Sequence, residues 1–162
     1  MSFQIHALPY APFAAFFDMD ADTLASHAGT LQTVTSSSGS PSRVSLEDAE
    51  VGETVRLINY QHQPQASPYR AEHAIFVRKG AARAHVAPGT VPKVLSRRVI
   101  SMRLFDENHM MIDAQVLDGK HLSEAIPVAL AQQKTAYIHL HNAAPGCFAA
   151  KVTRAGPADL PG

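Results

Sequence analysis

The stretch from Arg56 to Arg78, RLINYQHQPQASPYRAEHAIFVR, constrains this chain more than any other. Its flanks, Val55 to Tyr60 and Ala74 to Val77, are apolar and β-prone, and each reads as a strand. Pro64 and Pro68 lie between them in a polar loop. Strand, loop and strand in direct succession are hairpin-type neighbours. The loop and its borders also carry Tyr60, His62, Tyr69, Arg70 and His73, more hydrogen-bonding chemistry than a connection needs. Loops held by a rigid sheet are where function tends to sit.

The remaining chain repeats this pattern. Phe3 to His6 reads as a short edge strand, and Phe13 to Phe17 as a helical turn with Pro12 near its start. Asp20 is placed to cap a short helix through Leu24 to His27, ended by Gly29, and Leu31 to Thr35 is a weak strand. Ser36 to Ser42 reads as a mobile polar loop. Ser45 to Asp48 resembles a capping box and predicts one helical turn. Lys79 to Pro92 has no regular pattern, and Pro92 starts a short helix through Arg97.

Val99 to Phe105 and Met110 to Leu117 read as a hairpin around residues 106–109. Residues 121–133 have apolar spacing of helical period, with Pro127 expected to kink or split the helix. Tyr137 to His141 alternates cleanly as a strand, and Phe148 to Thr153 returns beside it. Hairpin neighbours with few short helices predict an α+β fold with a mainly antiparallel sheet. One domain is expected over 1–154, with 155–162 as a flexible tail.

The 14 basic and 14 acidic side chains cancel, so no basic field recruits nucleic acid or an anionic membrane. No apolar run approaches membrane-spanning length, and the N-terminus lacks the pattern of a secretion signal. The lone Cys147 allows no internal disulfide. The expectation is a cytoplasmic protein. Histidine is the outlier at nine residues, which makes the chain basic in mild acid.

Several motifs in order, Ser42 to Ala49, Asn59 to Gln63, Pro68 to Val77 and His139 to Asn142 with Gly146-Cys147, resemble the bacterial family of domain of unknown function 1203 (DUF1203). The resemblance runs from Phe3 to about Arg154 and implies a single compact domain without implying an activity. Family members carry a cysteine where this chain has Ser42, so the resemblance implies no thiol pair with Cys147 here.

Three constellations stand out, each beside a plainer reading. His139 and His141 lie two apart on a strand and so face one side, about 7 Å apart. They could share a metal with a third ligand from His62, His73 or Asp113, or simply cap carbonyls and face solvent. Arg43 and Arg70 could hold an anion with Tyr60, Tyr69 and His73 orienting it, or tie down loops. Cys147 could be a thiolate activated by His139 or His141, or a small buried hydrophobe.

The leading expectation is a small-molecule site for an anionic ligand. His73, His139, His141 and Cys147 are its candidate catalytic groups, and Arg43, Tyr60, His62, Tyr69 and Arg70 its candidate binding groups. No residue is assigned to a metal at that level, and no cofactor is identified. The alternatives are a non-catalytic interaction module, such as a homo-oligomer contacting through Phe13, Phe16 and Phe17, and a minor metal site on His139 and His141.

Overall fold

Eight strands pair into two antiparallel sheets in the computed structural model, which describes residues 2–157. The larger sheet runs β1 (Phe3–His6), β8 (Phe148–Arg154), β7 (Tyr137–Asn142), β5 (Val99–Phe105), β6 (Met111–Asp118). The smaller runs β2 (Gly29–Thr33), β3 (Thr54–Gln63), β4 (Ala71–Arg78). Three short α-helices, α1 (Ala21–Ser26), α2 (Lys93–Ser96) and α3 (Leu122–Ala131), and two 3-10 helices, Ala11–Phe17 and Gly119–His121, accompany the sheets. The α+β, mainly antiparallel reading holds. The end of the expected tail, residues 158–162, lies outside the described residues.

The period of two along each strand gives the larger sheet two different faces. On one, Ile100, Met102, Leu104, Ile138, Leu140 and Val152 pack under Leu122, Ile126, Ala129 and Leu130 of α3. Burying an aliphatic side chain of this size contributes about 1.5–3 kcal/mol, so this layer supplies much of the stability. On the smaller sheet Ile58, Ile75 and Val77 pack with Phe13, Phe17 and Val44. The second face of the larger sheet, bearing the odd-numbered residues of β7, lies against β3. All six residues of β7 are buried.

Local expectations fail in four places. The capping box at Ser45 to Asp48 starts no helix. Ser42 bridges to Phe76, Pro41 to Asp48, and Asp48 takes a bidentate contact from Arg98 at 2.6 and 3.2 Å. The loop at Ser36 to Ser42 is pinned at its end rather than free, with Ser40, Pro41 and Ser42 buried and Ser38 O accepting from Arg98. Pro127 sits inside α3 without splitting it, although it forgoes the bond its N–H would make to Ser123 and its ring crowds that carbonyl. β3 runs past its expected end at Tyr60 as far as Gln63, so His62 belongs to a strand and not to the loop.

Candidate metal centre

β7 presents Tyr137, His139 and His141 on one face, as the alternation dictates. The third participant arrives from the other sheet. Tyr60 opposes His73 while Gln63 opposes Ala71, so one extra residue bulges out of β3. A bulge turns successive side chains toward the same partner. His62 and Gln63 accordingly both reach β7. The His62 ring lies 5.8 Å from His139 and 4.9 Å from His141, and Gln63 Nε2 donates to Tyr137 Oη at 2.7 Å.

One ring nitrogen from each of His62, His139 and His141 lies within 4.8 Å of the other two. His139 is 3% exposed and His141 1%, while His62 is half-buried. Aromatic rings wall the group. Phe148 stacks flat on His62 at 5.2 Å and meets His139 edge-on at 5.1 Å, and Phe105 and Tyr137 lie 5.2 Å from His139.

Burial in this wall disfavours the charged form, and neighbouring positive groups add to it. The pKa of His139 falls from 6.5 to about 3, by desolvation first and then by repulsion from His141, His62, Lys151 and Arg103. His141 also falls to about 3, its burial outweighing the bond to Gly146 that favours the charged form. His62 falls to about 4, again mainly by burial, with Arg103 and His73 contributing. At neutral pH all three rings are therefore uncharged and carry a lone pair.

Hydrogen bonding decides which nitrogen holds it. His141 Nδ1 lies 2.9 Å from Gly146 O, and a carbonyl only accepts, so Nδ1 bears the proton and Nε2 the lone pair. Metal-binding histidines are commonly oriented by such a bond on the far nitrogen. His62 Nδ1 and His139 Nδ1 are buried with no hydrogen-bond partner. Three nitrogens around a tetrahedral zinc sit about 3.3 Å apart, so these three, within 4.8 Å of one another, would have to draw together to share one ion.

The other anticipated site residues are distributed as follows. His73 opposes Tyr60 across the β3–β4 pair, on the edge of the same region. Tyr60 packs between Phe13 and Phe148, and burial pushes its phenol upward. Cys147 is buried 3.0 Å from Arg43 Nη2, on the far side of the Gly146 turn from His141. Arg43 is 2% exposed and also donates to the carbonyls of Phe148 and Pro41. Its guanidinium is thus committed to the protein, and burial lowers its pKa although Cys147 and Asp48 oppose the shift. Tyr69 meets Phe105 edge-on, whereas Arg70 is exposed and bonds to Pro64 O, apart from Arg43. Asp113 is exposed on β6 and takes no part.

Arg103 escapes a reading of the sequence taken by motif. It lies on β5 directly opposite His139, and Ser101 lies opposite His141. The only available signal is a cation inside the apolar run Val-Ile-Ser-Met-Arg-Leu-Phe, on the alternate positions that turn away from the core.

Among the described residues no helix is long and apolar enough to cross a membrane. No curated protein and no solved structure matches the chain. Residues 39–154, which include β3 to β8 and all three histidines, match the family model described as Protein of unknown function (DUF1203), and the chain belongs to that family.

Proposed function

We propose that this protein binds one divalent transition metal through His62, His139 and His141. The carrying observation is the meeting of three uncharged, largely buried imidazoles from two sheets, two of them with a buried nitrogen left unpaired. An unpaired buried polar atom costs about 1–3 kcal/mol, a cost that a bound metal removes. Neutral rings also coordinate without first losing a proton. An all-imidazole set suits zinc, copper, nickel or iron rather than magnesium or calcium. Three protein ligands leave coordination positions open, which is the pattern of a catalytic metal more than of a structural one. The test is metal titration of untagged, chelator-treated protein by calorimetry. One equivalent bound by the wild type and lost in His139→Ala and His141→Ala supports the reading. No uptake of zinc, copper, nickel, cobalt or iron(II) ends it.

A second reading has its own observation. A cavity of about 520 Å³ lies beside Arg43, Cys147, Asn142 and His73, within the size range of small-molecule sites. Its lining is mostly apolar, and Arg43 spends its donors on the protein. It therefore suits an uncharged ligand better than an anion. A fragment screen by ligand-observed NMR, competed by alkylation of Cys147, tests it. Fragments bound equally before and after alkylation would place them elsewhere.

A further inference from the structure

Among the described residues no acid acts on the three rings, and the one that reaches this face, Asp106, acts on Tyr137. The charged side chains that act on the three rings, Arg103 and Lys151, are both basic. A divalent metal here would add two positive charges to a region that already holds Arg103 and Lys151, with no carboxylate ligand to offset them. An anion would offset that charge, either hydroxide formed from a bound water or one supplied from outside the protein.

Arg103 is positioned to receive it. Directly opposed residues on an antiparallel pair place their side chains on the same face within about 4.5–5.5 Å at Cβ, and Arg103 opposes His139. Its Nε donates to Ser101 Oγ at 3.1 Å, which directs the guanidinium along the strand past His141, the residue opposite Ser101. Among the described residues its two terminal nitrogens have no hydrogen-bond partner, although the side chain is half-buried. Half-buried arginines elsewhere in this chain are used differently. Arg98 closes on Asp48 and Arg78 on Glu53.

We propose that Arg103 is the anion-binding residue of the metal site, and that the ligand is a small organic carboxylate with an apolar body, its head held between the Arg103 fork and the metal. The planar fork matches a carboxylate through two parallel hydrogen bonds. The apolar body follows from the walls, which are the rings of Phe105, Phe148 and Tyr137. Entry is from the β5–β6 side. There Ala114 opposes Arg103 and Val116 opposes Ser101, both exposed and uncovered by the smaller sheet. This assignment rests on the metal reading, and it differs from an anion site on Arg43 and Arg70, whose donors face protein carbonyls.

The experiment uses untagged protein loaded with cobalt(II), whose visible bands report ligands entering the coordination sphere. Benzoate is the probe and inorganic phosphate the comparison. The expected result is a saturable change of the bands by benzoate in the wild type. Its affinity should fall about tenfold or more in Arg103→Gln, as expected for losing a charge-assisted pair, and recover in part in Arg103→Lys. Cobalt stoichiometry unchanged in both variants shows that the fold and the metal site persist. Cobalt bound normally with bands that benzoate leaves untouched, or shifts equally in wild type and Arg103→Gln, overturns the role of Arg103 while leaving the metal reading in place. Phosphate binding as tightly as benzoate overturns the carboxylate class. No cobalt band at all overturns the metal reading, and this inference falls with it.

Discussion

Lowering the pH should unfold the metal-free protein through the same histidines. Unfolded, each has a pKa near 6.5, whereas folded His139 and His141 sit at about 3. Below pH 6.5 the unfolded chain therefore takes up protons that the folded chain refuses. Stability is complete above about 6.5 and is lost as the pH falls toward the folded values. Between about pH 5.5 and 4 the two buried rings account for two protons, a slope of about 2.7 kcal/mol per pH unit. His62 steepens it by less, since it is half-exposed and solvent screens its charge.

A domain with about 5–15 kcal/mol of stability loses most of it within two or three such units. Midpoints of urea unfolding, measured with chelator at half-unit steps from pH 7.5 to 4.5, give the slope. His139→Gln keeps the volume but cannot charge, so it should lower the slope by about 1.4 kcal/mol per pH unit. A wild-type stability that stays flat between pH 6.5 and 5 would refute the reasoning, because carboxylates begin to titrate only below that window.

Removing the metal should lower the melting temperature in proportion to its affinity, and scanning calorimetry with and without chelator measures the difference. Arg43→Ala leaves the carbonyls of Phe148 and Pro41 unpaired in the interior, so a loss of about 1–3 kcal/mol for each is expected in urea unfolding. Gly119→Ala would set a Cβ 2.0 Å from Leu95 O and 2.7 Å from Arg98 O, both backbone atoms, so chemical denaturation should register a loss of about 1–3 kcal/mol or more. Pro127→Ala restores the missing bond within α3 and should stabilise by up to about 3 kcal/mol, visible as a raised unfolding midpoint.

Much of the scaffold is local information, and local information is legible. The alternation at Tyr137 to His141 places three polar residues on one face whatever the neighbours, because the period of a strand is two. The helical spacing of Leu122, Ile126, Ala129 and Leu130 marks α3, and Asp20 does cap α1, its Oδ1 accepting from Thr23 N at 2.8 Å. The hairpin of β5 and β6 also follows from adjacent runs and a short polar turn.

What the tertiary structure decided is which of these faces meet. Nothing near His139 in sequence singles out His62 rather than His73 or Asp113 as the third ligand. Stacking of the two sheets and one bulge in β3 made that choice. Arg43 and Cys147, 104 positions apart, become partners only once the Ser40–Ser42 segment is buried against β4 and β8. The capping box at Ser45 lost for the same reason: a strand bridge and the Arg98–Asp48 pair outweigh a cap worth about 1 kcal/mol. Periodicity is written in neighbouring residues, whereas a site assembled across sheets depends on burial and chain closure over long separations, which no local pattern encodes.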